Sequence, residues 1–451
     1  MNASHLAGLL SGPTALRVGS RRWFLEVGSA GLLGSQLLAT SSKSQTPFSP
    51  TADHKSVILI WLSGGPSHID MWDPKPEATP EIRGPYGTIA TKLAGVRFCE
   101  HLPLQASIAD QLSIIRSVDC SASNHTPITM QAGNPLARRT DDGKDGAGYP
   151  SMGSIAAKFR GSNQPNMPPF VGLADSWGAD VWEAGELGKT YAPVNGREML
   201  GQFALPPGVT VERLQDREAI RRELSRLGHQ IDAIDPSAKE FDHNAVQAYE
   251  MIVSGKVARA FQIENESDAL RDAYGRNSLG EKSLLARRLV ESGVSFVLVS
   301  GAWGYFDHHG DSVKWGGIEK GLTPLLPSID QAIHALIQDL SRRGLLDSTL
   351  VMMMGEFGRS PRINADAGRD HWTNVMSMVM AGGGLRHGQV IGSTDRQGGT
   401  ITSSAVRPQD LAATTFRHLG IDLEATWTNF QGRPMPIVCE GGRPIPELVT
   451  G

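Results

Sequence analysis

Residues 57–62 read Val-Ile-Leu-Ile-Trp-Leu, and Ser63-Gly64-Gly65-Pro66 follow directly. A continuous apolar run of this length that stops at turn-forming residues is typical of a strand buried on both faces of a parallel sheet. The run therefore predicts a central strand that leads into a loop.

Four further apolar runs repeat this pattern: Leu112–Val118, Val294–Val299, Leu350–Met354 and Val375–Ala381. Residues 283–292 have a helical pattern that Gly293 stops, and the apolar positions from Ile329 to Leu340 recur as one face of a helix. Alternating strands and helices predict an α/β fold, with a doubly wound, mostly parallel sheet and helices on both faces.

Between about residues 141 and 277 this alternation weakens. Glycine, proline and tryptophan are scattered there, and charge-rich helical pieces occur at 211–230 and 245–270. We expect this segment to form a helical or irregular cap insertion packed beside the sheet, within one domain that spans residues 54–451.

Composition restricts the class of protein. Hydrophobic residues make up 40% and charged residues 20% of the 451 residues, which is ordinary for a globular chain. The formal net charge of −4 gives no basic footprint, so we expect no nucleic-acid partner. The chain has three cysteines and no C-x-x-C pair, which excludes a disulfide scaffold and a cysteine zinc cluster.

The N-terminus has the features of an export signal. Arg21 and Arg22 precede Phe24-Leu25 and an apolar stretch at 27–39 that is too short for a comfortable bilayer span. We predict a twin-arginine-type signal peptide over residues 1–40 and a linker over 41–53. The expected location is periplasmic or extracellular, after passage through the twin-arginine export machinery and with no stable membrane span once the signal is removed. A chance pair of arginines in an unfolded tail is the alternative.

Acidic, imidazole and hydroxyl side chains follow the predicted strands. Because ligands of parallel α/β sheets bind at the carboxyl ends of the strands, we expect these side chains to converge there. Carboxylates and imidazoles without cysteine suit one or two divalent ions, with zinc, manganese and calcium as candidates. The candidate ligands are Asp70, Asp307, His309, Glu356, Asp370 and His371, and the candidate catalytic residues are Ser123, His125, Thr126 and Arg359.

Several of these residues have structural alternatives. Asp70 could cap the segment that follows it, and His125 could be a hydrogen-bonding loop residue. Arg359 could pair with a structural carboxylate or hold a phosphate or sulfate oxyanion. The sequence alone leaves these alternatives open.

Three stretches resemble the DUF1501 family of secreted bacterial proteins. They are Leu62–Pro76, Gly355–Pro361 and Gly368–Trp372, and the resemblance extends over about residues 55–440. The family has no well-defined activity, so this resemblance implies export more than chemistry.

The chain is more distantly similar to the alkaline phosphatase and sulfatase superfamily. That similarity implies an alkaline-phosphatase-like sheet with a metal site at the strand ends. Its first-strand ligand would correspond to Asp70, its Asp…His pair to Asp307 and His309, and its late acidic ligand to Glu356. Phe357 stands where that superfamily has a histidine ligand, a role that His371 could take over.

The same similarity implies a nucleophile at Ser123 or Thr126. The sulfatase C/S-x-P-x-R signature is missing, so formylglycine chemistry is not expected. A divalent ion held by Asp70, Glu356 and His371 would polarise the ester, and a second ion at Asp307 and His309 would activate water or stabilise the leaving group. Arg359 or Arg369 would bind the remaining oxygens.

The resulting expectation is an exported, metal-dependent hydrolase of phosphate or sulfate esters, acting on a small-molecule or polysaccharide anionic ester. The alternative is a non-catalytic exported binding or envelope protein on a degenerate hydrolase scaffold, which Phe357 and the missing signature favour. A cytosolic, nucleotide-dependent enzyme is disfavoured because no predicted strand is followed by a glycine-rich phosphate-binding loop.

Overall fold

The structure, a computed structural model, describes residues 54–137, 148–198, 213 and 255–449. All of these except Arg213 and Gly255 belong to one compact unit. The predicted signal peptide and linker lie outside the described residues and stay predictions.

The described residues form sixteen strands, eight of which make one sheet. In chain order they are β1 Ser56–Trp61, β2 Thr88–Ala90, β3 Arg97–Cys99, β4 Leu112–Val118, β5 Phe170–Leu173, β6 Val194–Asn195, β7 Phe296–Ser300, β8 Thr349–Met354, β9 Gly358–Arg359, β10 His371–Trp372, β11 Met376–Gly382, β12 Gln389–Ile391, β13 Ser393–Thr394, β14 Ile401–Ser403, β15 Thr426–Thr428 and β16 Pro434–Pro436.

The helices vary from one turn to twenty residues. In chain order they are α1 Pro80–Arg83, α2 Pro103–Ser107, α3 Ile128–Ala132, α4 Met152–Phe159, α5 Trp177–Asp180, α6 Lys256–Phe261, α7 Asp268–Tyr274, α8 Ser278–Glu291, α9 Thr323–Arg342, α10 Pro408–His418 and α11 Pro446–Val449. None of the helices in the described ranges is both long and apolar enough to cross a membrane.

The large sheet has the order β12-β4-β11-β8-β1-β7-β5-β6. β1 lies near its middle and pairs in parallel with β7 and β8, with Leu59 opposite Leu298 and Met352. β11 runs antiparallel to both of its neighbours, β4 and β8, whereas the other pairings in the sheet are parallel. The predicted α/β class with a mostly parallel sheet is therefore confirmed.

Both faces of the sheet are covered. Every residue of β1 is buried, and successive side chains of a strand point to opposite faces. Leu59 shares an apolar cluster with Met152 of α4 and Phe416 of α10. Ile60 is equally buried on the other face, and α8 contacts both β7 and β1. The five apolar runs identified in the sequence are thus the five strands β1, β4, β7, β8 and β11.

Helix α8 begins five residues before the predicted start at Ser283. Its N-terminus is set by Asn277, whose side chain accepts a hydrogen bond from Gly280 N–H at 3.0 Å. Gly293 follows the helix with φ of 112°, as the sequence predicts for its end.

The described part of segment 141–277 differs from the predicted cap, because β5 and β6 extend the main sheet beyond β7. β5 is only four residues long and contains Gly172, so its sequence carries no long apolar run. A Cβ at Gly172 would lie 2.6 Å from the Trp177 ring, which explains why glycine interrupts this strand. The helical piece expected at 211–230 lies outside the described residues except for Arg213.

The three cysteines, Cys99, Cys120 and Cys439, are all unpaired. Cys99 and Cys120 are buried in the apolar interior, where burial raises the pKa of the Cys99 thiol to about 12. Both therefore behave as small core residues.

We predict that Leu59→Ala lowers the free energy of unfolding by about 3 kcal/mol, because it leaves a cavity in the centre of the sheet. Urea unfolding followed by circular dichroism measures the loss. Val313→Ala, at a side chain that is 45% exposed, is the control and should change the stability by less than about 0.5 kcal/mol. Equal losses in the two variants would contradict the central position of β1.

Candidate metal centre

The turn after β1 requires glycine at two consecutive positions. Gly64 and Gly65 have φ of 109° and 88°, a region that L side chains rarely adopt. A Cβ at Gly64 would lie 2.5 Å from the backbone nitrogen of Asp307, and one at Gly65 would lie 2.6 Å from the Phe357 ring. The two glycines therefore let the loops that follow β7 and β8 close over the end of β1.

A short ribbon brings a distant histidine to the same place. β9 and β10 pair antiparallel, with His371 opposite Arg359. Since β9 follows directly from the end of β8, the ribbon places His371 at the carboxyl edge of the large sheet.

Three imidazoles surround the carboxylate of Asp307. Nε2 of His371 and Nε2 of His309 each lie 3.1 Å from Asp307 Oδ1, and Nε2 of His125 lies 3.4 Å from Oδ2. The Nε2 atoms of His309 and His371 are 2.9 Å apart. His125, Asp307 and His371 each offer one ligand atom, and these atoms all lie within 4.8 Å of one another. We call these three residues the metal triad.

Glu356 supports the triad from the end of β8. Its Oε1 accepts a hydrogen bond from Gly64 N–H at 2.9 Å and lies 2.9 Å from His125 Nδ1. Its Oε2 is buried and has no hydrogen-bond partner among the described residues. The His125 ring also stacks on Trp303, with centroids 5.0 Å apart, so its orientation is fixed from two sides.

These contacts set the protonation of the triad. Burial would lower the pKa of His125, but its contacts with Asp307 and Glu356 outweigh burial and raise that pKa to about 9. Burial would raise the pKa of Asp307, but His125, His371 and Arg359 outweigh it and hold that pKa far below its usual range. In the metal-free protein the two residues therefore form an ion pair.

Arg359 does not face a substrate. Its side chain is almost fully buried, its Nε donates to Gly65 O at 2.9 Å, and its Nη1 donates to Arg369 O at 3.0 Å. Its Nη2 donates to Asp307 Oδ1 at 2.5 Å and also contacts the carbonyl oxygen of Gly64. The expected oxyanion-binding role is corrected by this geometry, because the guanidinium is used to position Asp307.

Asp70 also lies outside the triad, contrary to the expectation that it binds the ion. Its two oxygens accept hydrogen bonds from Arg369 Nε at 2.7 Å and Nη2 at 2.9 Å, and Ser67 Oγ donates to Oδ2 at 2.5 Å. All three side chains are buried. A carboxylate bound at both oxygens by a guanidinium has little capacity left for a metal ion, so the structure assigns Asp70 a structural role.

The other predicted residues lie at the margin of the site. Asp370 is mostly exposed, and its Oδ1 lies 3.6 Å from His309 Nδ1, on the side of that ring away from Asp307. Thr126 Oγ1 donates to Asn124 Oδ1 at 2.6 Å, and Ser123 is buried. The sequence thus predicted five residues that converge, namely His125, Asp307, His309, Glu356 and His371.

One buried carboxylate near the site was not predicted from the sequence. Asp180 is fully buried at the end of α5, and its Oδ1 accepts a hydrogen bond from Ser63 Oγ at 2.5 Å. Ser63 Oγ in turn accepts from Gly304 N–H at 3.0 Å, which fixes the loop that carries Asp307. Asp180 follows the short strand β5, so no apolar run in the sequence marked its position.

A cavity of about 520 Å³ opens beside the triad. His125 and Thr126 lie on one side of it, and Trp182, Glu183 and Trp303 lie among its other lining residues. Its size is that of a small-molecule site, so a ligand in it can lie against His125 of the triad.

The residues fit a divalent ion. Two imidazoles and a carboxylate match the donor set of zinc and related metals, and the buried Glu356 Oε2 is a further oxygen without a partner. Arg359 already neutralises Asp307 Oδ1, which leaves Oδ2 as the oxygen on the His125 side. Calcium, which prefers all-oxygen shells, fits this set less well.

The chain matches the model of one described family over all of the residues that the structure describes. The model of the family described as "Protein of unknown function (DUF1501)" matches residues 54–449. No curated protein sequence is significantly similar to the chain.

Three solved structures with a similar chain path are distant in sequence. A sulfatase from Pseudoalteromonas sp. is 13% identical, with 82% of this chain and 68% of that chain covered and a TM-score of 0.34. A phosphonate monoester hydrolase from Silicibacter pomeroyi is 12% identical, with 87% and 76% covered and a TM-score of 0.38. Human ectonucleotide pyrophosphatase/phosphodiesterase 5 is 8% identical, with 84% and 98% covered and a TM-score of 0.36. Similarity at this level supports no inference about activity.

We predict that His371→Ala abolishes zinc retention and that Asp70→Asn does not, because only His371 belongs to the triad. Elemental analysis after zinc loading and gel filtration measures the retained metal. Asp70→Asn should instead lower the free energy of unfolding by about 3–5 kcal/mol, since it leaves the buried Arg369 without its counter-charge. Loss of zinc from Asp70→Asn together with retention in His371→Ala would reverse the assignment.

A second prediction concerns pH. Burial is the main cause that raises the pKa of Asp180 to about 7, so folding favours its protonated form. Its ionisation therefore lowers stability as pH rises from about 4 to about 7, by about 1.4 kcal/mol per pH unit. Asp180→Asn should remove this slope, so the variant gains stability relative to the parent at pH 8 but not at pH 4. If the free energy of unfolding changed with pH in the same way in both proteins, this prediction would be wrong.

Proposed function

The chain belongs to the DUF1501 family, and on that premise we propose that it is an exported, metal-dependent hydrolase of phosphate or sulfate esters. The observation that carries this proposal is the metal triad, which lies beside an open cavity at the carboxyl edge of the mostly parallel sheet. That edge is where α/β folds place their reaction centres.

A divalent ion held by His125, Asp307 and His371 would supply Lewis-acid polarisation of a phosphoryl or sulfuryl oxygen. The chain's own residues fix where that chemistry takes place. Glu356 and Trp303 hold the His125 ring, and Arg359 holds the Asp307 carboxylate, so that the ligand atoms are oriented before the metal binds. The donor set favours zinc or manganese.

Thr126 is the candidate nucleophile. Its side chain lies on the cavity next to His125, whereas Ser123 is buried and is not among the described residues that line the cavity. Asn124 Oδ1 accepts the hydrogen bond of the Thr126 hydroxyl at 2.6 Å and orients its oxygen. The substrate would be an ester with one anionic group at the triad and its organic part in the cavity.

The twin-arginine-type signal that the sequence predicts over residues 1–40 favours a periplasmic or extracellular location. A folded protein exported by that route can carry a metal that it acquired before export.

One observation favours the alternative, a non-catalytic exported binding protein. Arg359 and Arg369, the two guanidinium groups near the strand ends, both turn inward onto protein oxygens. A hydrolase of oxyanion esters usually offers such a group to the equatorial oxygens of its substrate.

A substrate screen separates the two functions. Purified protein loaded with zinc or manganese is assayed on aryl phosphate monoesters, aryl phosphate diesters and aryl sulfates. We predict hydrolysis of one of these classes, and a loss of at least about a thousandfold in kcat for Thr126→Ala and for Asp307→Asn.

Ser121→Ala is the matched control, because Ser121 is an exposed hydroxyl in the same loop as Thr126. It should keep the parent rate. Metal-loaded protein that hydrolyses none of the three classes would refute the hydrolase function. Activity unchanged in Thr126→Ala but lost in Asp307→Asn would leave the metal role in place and refute the nucleophile.

A further inference from the structure

We propose that the cavity beside the triad binds a saccharide ring of the substrate, so that the ester cleaved at the triad is a sugar phosphate or sugar sulfate. The position of the ester rests on the function proposed above. Binding of the ring depends only on the walls of the cavity and can be measured without turnover.

Trp303 provides the first wall. Its indole is 40% exposed, which makes it one of the few large hydrophobic side chains among the described residues that face solvent. The His125 imidazole stacks on the indole with an interplanar angle of 27°, and the Trp303 backbone N–H donates to Ser176 Oγ at 2.9 Å. The ring is therefore held in place while much of its surface stays open to the cavity.

Trp182 provides a second aromatic wall. Its indole Nε1–H donates to Tyr149 O at 2.8 Å, and its backbone N–H donates to Gln131 Oε1 at 2.8 Å. Both ends of the residue are thus fixed, and the indole is positioned before any ligand enters. Rigid aromatic groups bind a ring at low cost in conformational entropy.

The polar lining suits hydroxyl groups. Glu183 and Thr126 also line the cavity, together with Ile128 and Val181. A sugar presents C–H groups with positive partial charge on its ring face, which match the negative face of an indole, and hydroxyls at its edge, which donate to a carboxylate. Oε1 of Glu183 already accepts a hydrogen bond from Trp177 Nε1–H at 2.7 Å, so a purely aryl group would leave Oε2 of Glu183 without a hydrogen-bond donor from the ligand.

The volume and charge of the cavity agree with this occupant. About 520 Å³ lies within the range of sites that enclose a small organic molecule. The negative charge of Glu183 would repel a second anionic group on the ligand. The saccharide ring is therefore neutral apart from the ester at the triad.

Binding of neutral disaccharides tests the proposal. Lactose, cellobiose and maltose are titrated into metal-free protein, with saturation-transfer NMR and indole fluorescence as readouts, and phenol serves as the aryl probe. We expect at least one disaccharide to bind, Trp303→Ala to weaken that binding about tenfold, and Trp303→Phe to keep most of it.

Phe430→Ala is the matched control, because Phe430 is 76% exposed and does not line the cavity. It should bind like the parent, and the circular dichroism of Trp303→Ala should match that of the parent, which shows that the variant is folded. Absence of disaccharide binding, binding of phenol alone, or unchanged binding in Trp303→Ala would overturn the proposal.

The result separates this proposal from the proposed function. Disaccharide binding without hydrolysis of any ester would contradict only the hydrolase. Hydrolysis of aryl esters without disaccharide binding would contradict only the saccharide site.

Discussion

The buried guanidinium of Arg359 is the interaction on which the site depends. It joins the carbonyl oxygens of Gly64 and Gly65 after β1, the carboxylate of Asp307 after β7, and the carbonyl oxygen of Arg369 before β10. A single side chain thereby connects three chain segments that are far apart in the sequence. Removal of this group would leave the carbonyl oxygens of Gly64, Gly65 and Arg369 without their shared donor, and each buried acceptor left unpaired typically costs about 1–3 kcal/mol.

This arrangement also explains why Asp307 can serve a metal. A carboxylate surrounded by three imidazoles and a guanidinium remains ionised, and burial in a partly apolar setting strengthens each of these interactions. Arg359 binds Oδ1 of Asp307, and Oδ2 lies toward His125. Asp70 is the contrasting case, since Arg369 binds both of its oxygens. Two Asp–Arg pairs in one site thus have different roles because one is bidentate and the other is not.

The candidate metal triad and the cavity lie next to each other at the carboxyl edge of the sheet. The triad, Glu356 and the indole of Trp303 contact one another through His125, so the metal centre and the cavity share a residue. A ligand in the cavity therefore lies against the same imidazole that would hold the ion. The inward orientation of Arg359 and Arg369 means that any oxyanion bound here is balanced mainly by the metal and by imidazoles.

The sequence by itself determined the five main strands and the α/β class. Short, continuous apolar runs that alternate with helices are typical of a parallel sheet that is covered on both faces. The sequence also indicated the histidines and carboxylates that converge, because parallel strands bring their carboxyl ends to one edge. The tertiary structure alone decided which aspartate belongs to the candidate metal triad and which has both of its oxygens bound by an arginine. Asp70 and Asp307 look alike in the sequence, and only the long-range positions of Arg369 and Arg359 distinguish them. Strand β5 and Asp180, which follows it, could not be identified from the sequence either, because a four-residue strand that contains a glycine has no long apolar run. This strand is stabilised by pairing with β7, which is distant in the chain.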